Sequence, residues 1–299
     1  MLREYHKEQA IKAREIYIQS RTPEVDLEDW NATLRVARRA IGEVLRASDY
    51  LRDVSAALQV NGEHARIFRH ILAPPLSQDQ FELFFPSWKK STEKYGRKLK
   101  KEPSTDVARA VQERRVRVLT PWLSSGRKPT RRELERLFWS ISPLLANQQF
   151  ATVQRNRLAR IQEGAITALL DASGWTKLPS SLLDTKAALP LMHYMHKTRF
   201  ATATTRPQEV DIALGLKSTI VLAMECKVTN DETNSIKRVN DVLKKAHAWK
   251  DHWGSFVKTA AVLQGVIAEK DVMRLLDSSV EVFWSHDLPH LEHWLLRNL

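Results

Sequence analysis

Cysteine is nearly absent. The single thiol among 299 residues, Cys226, excludes an internal disulfide and suits a reducing cytoplasm, the expected location. No stretch approaches the apolar length needed to cross a bilayer. The opening residues, Met1-Leu2-Arg3-Glu4-Tyr5-His6-Lys7, are charged and lack the apolar centre of a signal peptide. Strand signals are scarce in the first half of the chain, which reads as helical. Acidic groups are too few to balance the basic ones: 47 Lys and Arg against 35 Asp and Glu leave a net charge of +12. A hydrophobic content of 43% with 27% charged residues is that of a folded protein, and the length can bury one large core or two ordinary ones.

The surplus charge is localised. From Pro86 to Arg160 there are nineteen Lys and Arg but six Asp and Glu, so this block holds all of the excess. Charge on that scale is the footprint expected for a polyanion, and with no membrane anchor the expected partner is nucleic acid. Lys89, Lys90, Arg114, Arg115 and Arg117 are the candidate phosphate contacts. The alternative is a set of solvated helix faces.

Helical periodicity covers residues 1–20, Trp30–Ala47, Leu51–Leu58 and His64–Leu72, with Thr22-Pro23 and Pro74-Pro75 as breaks. Ser77-Gln78-Asp79-Gln80 and Thr130-Arg131-Arg132-Glu133 have capping-box form and predict helices to Phe85 and to about Ile141. Ser104-Thr105-Asp106 predicts another, through about Leu119. Trp88–Lys101 reads as a loop or mobile arm. The two basic helices could form a helix-turn-helix, although the Pro121–Pro129 connection is longer than that motif's turn. Asn156–Ala172 predicts a helix stopped by Ser173-Gly174, followed by a strand at Trp175–Leu178. Ala187–Ala203 reads as irregular, with Lys197, Arg199 and Arg206 able to meet phosphate. His193 and His196 lack the third ligand of a zinc site. Helices at Asn234–Lys250, Glu269–Leu276 and Leu288–Leu296 alternate with strands at Thr259–Ile267 and Val280–Trp284. Asp287 is the expected cap of the last helix, and His286 beside it has a packing role. The expected division is a helical, basic domain over 1–150, for DNA binding or dimerisation, and an α/β domain over 151–299.

The chemistry gathers at residues 207–228. Two apolar runs, Val210–Leu214 and Ile220–Val228, flank Gly215-Leu216-Lys217-Ser218 and read as a hairpin. The charged residues within the runs are Asp211, Glu225 and Lys227. Strand alternation puts Glu225 and Lys227 on one face, facing a cleft, and Met224, Cys226 and Val228 on the other. A turn about Ser218 pairs residues whose numbers sum to 436, which sets Asp211 opposite Glu225 at roughly 5 Å between Cβ atoms. Two carboxylates that close repel, and a divalent cation with hard oxygen ligands resolves the conflict. The alternative is an ordinary hairpin whose charges face solvent. Cys226 points away from the pair and reads as a buried small hydrophobe.

Asp211 with Glu225-Cys226-Lys227 has the D…ExK form of the PD-(D/E)xK nucleases. The residues that follow are more specific: Glu225 through Asn240, then Ala260-Ala261-Val262-Leu263-Gln264-Gly265-Val266 and Val282-Phe283-Trp284-Ser285-His286-Asp287-Leu288, with Ala73-Pro74-Pro75-Leu76-Ser77 upstream. These resemble the XamI-type restriction endonucleases, in which ECKVS-type, N-S-V-K-R-x-N, AAVLxGV and FWAHDL segments recur in this order. The resemblance implies a PD-(D/E)xK core, a mixed sheet flanked by helices, and a Mg2+-dependent enzyme cutting double-stranded DNA at a short palindrome. It implies a homodimer and a companion DNA methyltransferase as well. Asp211, Glu225 and the backbone carbonyl of Cys226 would hold the metal, and Lys227 would position the attacking water. Glu163, the acidic residue well inside its helix, would add a carboxylate; the alternative is a surface glutamate. Pro207 lies four residues before Asp211 instead of adjoining it, which leaves Glu209, on the same face, as a rival ligand. Asn230, Asn234, Ser235, Lys237, Arg238 and Asn240 leave directly from Lys227. They would read base edges, or cap the helix and meet only phosphates.

Overall fold

Among the described residues, helices and the loops between them make up the chain as far as Ala172, and the seven strands follow. The computed structural model describes residues 2–185, 188–203 and 206–299. The chain forms two compact units, one of Pro23–Val153 and one that joins Met1–Thr22 to Gln154–Leu299. The helix α1 (Leu2–Gln19), read above with the helical block, therefore belongs with the sheet. Its Ala10 and Ala13 enter the same core as Val272, Val282 and Trp284. Small residues at that spacing let a helix approach closely, a property that periodicity alone does not reveal.

The helical unit contains α2 (Pro23–Ala47), α3 (Val54–Val60), α4 (Ala65–Ile71), α5 (Gln78–Phe84), α6 (Lys101–Arg114) and α7 (Pro121–Ser125) around Trp88, Trp122, Phe68 and Phe81. The Ser77–Gln80 capping box closes as the sequence predicts. The segment after α5 is no free arm: Trp88 is fully buried, and Leu99 N donates to Leu58 O at 3.1 Å. A buried ion pair fastens it further, with Arg69 donating to both carboxylate oxygens of Glu93 at 2.8 and 2.7 Å. Ser104 does not open α6. It lies one turn inside, buried, with its hydroxyl turned back to Lys101 O. With α7 between α6 and the next helix, the helix-turn-helix reading has no tight turn to rest on.

The helix α8 (Arg131–Ala172) absorbs two segments expected to be separate. Its Thr130–Glu133 box closes at the start. Pro143 sits inside it and forfeits one backbone bond. Leu137, Ile141, Leu145 and Ala146 stay buried through the proline, so packing on either side outweighs the local cost. Residues up to Val153 belong to the helical unit and those from Gln154 to the other.

The second unit holds β1 (Thr176–Leu178), β2 (Leu182–Leu183), β3 (His193–Phe200), β4 (Gln208–Gly215), β5 (Val221–Thr229), β6 (Val257–Gly265) and β7 (Val280–Trp284), with α9 (Glu232–Trp253), α10 (Glu269–Asp277) and α11 (Leu288–Arg297). The sheet is mixed, in the order β1-β3-β4-β5-β6-β7, with β2 also on β3. Antiparallel pairing joins β3, β4 and β5, and parallel pairing joins β5, β6 and β7. Ile166, Leu170, Leu291 and Leu295, from α8 and α11, pack on one face. The other face carries α1, α9 and α10. This is the mixed sheet flanked by helices that the sequence predicts.

The strand β3 occupies residues read as irregular, because proline and a short polar run mask its alternation. Ala187, from the same stretch, and Thr204 and Thr205 just beyond it lie outside the described residues. Asp287 precedes α11 but makes no capping bond; its carboxylate accepts from Tyr5 Oη of α1 at 2.6 Å. His286 bonds Gln9 of the same helix at 2.8 Å, a packing role as expected. Among the described residues no helix is long and apolar enough to cross a membrane.

Candidate active site

The hairpin pairs as its sequence dictates. Ile212–Met224, Ala213–Ala223, Leu214–Leu222 and Gly215–Val221 face one another, and each pair sums to 436. The ladder stops at Ile212–Met224, one pair short of Asp211 and Glu225. Beyond that point a side chain replaces the missing backbone bond: Asp211 Oδ2 accepts from Cys226 N at 2.8 Å. The other oxygen of Asp211 lies 3.5 Å from Lys197 Nζ.

The sheet is also irregular on the far side of Asp211. Pairing between β3 and β4 covers His196–Ile212 and Thr198–Val210 but skips Lys197 and Asp211 between them. Lys197 has φ of +57°, a left-handed conformation uncommon for a residue with a Cβ. Met195 and Phe200, five residues apart, share one core, as do Val210 and Ala213, three apart. On a regular strand only even spacings share a face, so the alternation slips by one in both strands here. His196 and Lys197, adjacent in sequence, consequently reach the same carboxylate. His196 Nε2 lies 2.8 Å from Glu163 Oε2, and Lys197 Nζ donates to Glu163 Oε1 at 2.6 Å. Glu163, on α8, is thus buried and paired, not a surface glutamate.

On the other side, Glu225 is fully buried. Its Oε2 accepts from Lys227 Nζ at 2.7 Å and Lys245 Nζ at 2.8 Å. Lys227 also donates to Asp241 Oδ2 at 3.0 Å. Burial pushes the Glu225 carboxyl above the ordinary range, and Lys227 opposes that shift. Burial works against the charge of Lys227, but Glu225 outweighs it and holds the ammonium well above its usual pKa. Lys197 is likewise raised: partial burial opposes, while the hydrogen bond to Glu163 and the charge of Asp211 prevail. Asp241 lies below its usual value against the effect of burial, because of Lys227. A lysine so held stays protonated, so Lys227 can orient water or stabilise negative charge but is poorly placed to accept a proton. Nor does it face an open cleft, since its side chain is 11% exposed.

The carboxylates predicted from sequence, Asp211, Glu225 and Glu163, are thus gathered with Lys227, and Lys197, His196, Asp241 and Lys245 join them. The last two were legible in part, because they lie four apart on α9 and so on one face of it. Glu209 is exposed and makes none of these bonds. Burial pushes the Cys226 thiol well above its usual pKa, as fits a core residue. His193 Nδ1 bonds Leu191 O at 2.8 Å, whereas His196 Nε2 is engaged with Glu163.

Among the described residues, no group of three or more His, Cys, Asp or Glu is arranged to hold a metal ion. Two carboxylates with water and phosphate nevertheless suffice for Mg2+. Glu225 Oε1 is buried without a hydrogen-bond partner, and a buried carboxylate oxygen in that state suits a hard cation. The residues present fit such an ion.

Of the candidate DNA contacts, Ser235 is buried and donates to Asp271 Oδ2 at 2.8 Å, which takes it out of reach of bases. Asn234 bonds Asp231, which caps α9, and Asn240 Oδ1 accepts from Arg274. Asn230 and Lys237 are exposed and Arg238 is half-buried. In the helical unit Lys89 and Lys90 pair with Glu82 and Asp79 at the surface. Arg114 lies over the Phe84 ring. Arg115 is half-buried against Ser124, and Arg117 is exposed.

A family model described as XamI restriction endonuclease matches residues 49–284. The type II restriction enzyme XamI of Xanthomonas campestris pv. amaranthicola is 28% identical over 191 residues, which cover 62% of this chain and 66% of that enzyme, just under two thirds of its length. Similarity to solved structures is remote. The restriction endonuclease PspGI bound to substrate DNA is 14% identical with a TM-score of 0.34, covering 61% of this chain and 60% of that one. A repair endonuclease from Pyrococcus abyssi is 16% identical with a TM-score of 0.23, covering 30% and 38%. Because the family match takes in the cluster around Asp211 and Glu225 and most of the chain besides, this protein belongs to the XamI restriction endonuclease family.

Proposed function

We propose that the chain is a type II restriction endonuclease that cuts double-stranded DNA at a short palindrome with Mg2+, acting in the cytoplasm as a homodimer alongside a protective methyltransferase. The observation that carries this reading is the meeting of Asp211, Glu225 and Lys227 where the β4–β5 ladder ends. The unpartnered oxygen of Glu225 supports it. Asp211 and Glu225, with the Cys226 carbonyl, would hold the cation, which when bound supplies charge to offset that on the phosphate. Lys227 orients the attacking water and opposes the negative charge that grows during in-line attack. Glu225 and Asp241 fix its ammonium in place. Twofold symmetry suits a palindrome, since each subunit then cuts one strand. Digestion of a fully sequenced plasmid with Mg2+, followed by sequencing of the ends, tests the reading. Fixed ends at one short palindrome support it, whereas cleavage directed to lesions or strand junctions points to a repair nuclease.

The helical unit would supply phosphate contacts, Arg117 foremost because it is exposed, with Lys89 and Lys90 exchanging surface partners for phosphate. Log affinity for duplex should then fall with log salt by about 0.9 per phosphate contacted. Arg117→Ala should flatten that slope by about one unit and weaken all sequences alike in a binding titration. An unchanged slope after substitution of all three returns the block to a solvated surface. Beside the metal-binding cluster, Asn230, Lys237 and Arg238 are the residues proposed to meet DNA.

A further inference from the structure

The least regular backbone in the sheet serves one side chain. Lys197 adopts a left-handed conformation within β3, one that a residue with a Cβ seldom takes. In return its ammonium lies between two carboxylates, 2.6 Å from Glu163 Oε1 and 3.5 Å from Asp211 Oδ1. Regular alternation would send Lys197 and His196 to opposite faces, and the slip in both strands brings them to one. Glu163 and Asp211 come from a helix and a strand far apart in sequence, and like charges brought together repel unless a cation stands between them. The lysine is that cation. Its side chain remains 56% exposed, so it can leave without opening the core. A cavity of about 210 Å3 adjoins it, lined by Lys197, Thr198, Arg199, Glu209, Val210 and Asp211.

We propose that Lys197 is a built-in counter-ion that holds Glu163 and Asp211 together before a divalent cation binds and is displaced by it, turning toward Arg199 to meet a DNA phosphate. The inference rests on the reading of Asp211 as a metal ligand. It makes Lys197 a positioning residue that competes with the metal, so its removal strengthens cation binding, which a purely structural role would not do.

The test uses DNA-free full-length protein and follows Mn2+ by electron paramagnetic resonance and Ca2+ by calorimetry. Lys197→Met should bind either ion roughly tenfold more tightly than wild type, the effect expected for removing one positive charge about 4 Å away in a partly solvated site. Lys197→Arg keeps the charge and should bind close to wild type. Lys197→Gln provides a second neutral side chain, and melting curves confirm that each variant is folded. Wild type that binds the ion with no gain in either neutral variant overturns the inference alone. Failure of both wild type and neutral variants to bind any divalent ion sinks the metal-site reading along with it.

Discussion

Asp211→Asn should lower the rate of DNA cleavage by roughly a thousandfold or more, equivalent to about 4 kcal/mol of transition-state stabilisation. Asparagine is the informative replacement because its carbonyl oxygen can still accept from Cys226 N, the 2.8 Å bond that stands in for the lost rung of the ladder. An alanine would leave that partly buried N–H unpaired, at a cost of about 1–3 kcal/mol, and would confuse folding with chemistry. The charge is what changes. Binding to a duplex carrying the site in Ca2+ should persist or tighten, since one negative charge near the phosphates has gone. Single-turnover cleavage and a binding titration on the same preparation separate the two effects. Near wild-type cleavage by the asparagine variant would remove Asp211 from the mechanism and shift attention to Glu209, the exposed carboxylate two residues earlier.

Lys227→Ala should lower cleavage by about a hundredfold or more, the usual consequence of losing a positioned electrostatic group. Sequence reasoning alone expects little effect on folding, and here the structure changes the expectation. Lys227 donates to the fully buried Glu225 at 2.7 Å, and stripping one partner from a buried pair commonly costs about 3–5 kcal/mol. Lys245, at 2.8 Å from the same oxygen, remains as counter-ion and should hold the loss below that range. The melting temperature should therefore drop together with the rate. Cleavage measured at a temperature where circular dichroism shows the variant fully folded isolates the chemical effect. A folded variant that cuts at close to the wild-type rate would leave Lys227 as a structural counter-ion only.

The contrast between these two residues shows where a sequence is informative. Local rules act over a few residues, and they held at the hairpin and at two capping boxes but not at Ser104 or Asp287, whose side chains find other partners. The register about Ser218 follows from a hairpin with alternating faces, and the capping boxes at Ser77 and Thr130 follow from side chains that reach three residues along the chain. The buried cysteine and the nearness of Asp211, Glu225 and Lys227 follow from the same short-range geometry, whereas the mixed sheet was expected from the family resemblance. The separation of the helix at Thr130 from that at Asn156 failed because proline and polar residues weaken a helix only locally, whereas burial of Leu137, Ile141, Leu145 and Ala146 is decided by distant elements.

The sequence by itself determined the hairpin and the identity of its three charged residues, because each is written in neighbouring positions, and the family, because its segments recur in order along the chain. Only the tertiary structure decided what surrounds that charge. It brings Lys197 from β3 to Asp211 together with Glu163 from α8, and it brings Asp241 and Lys245 from α9 to Lys227 and Glu225. It also gives the first helix to the sheet and turns Ser235 inward to Asp271. The physical reason is that a carboxylate buried as deeply as Glu225 must find its counter-charges wherever the fold can supply them. Electrostatic attraction in a low-dielectric interior depends on distance in space, not on separation along the chain.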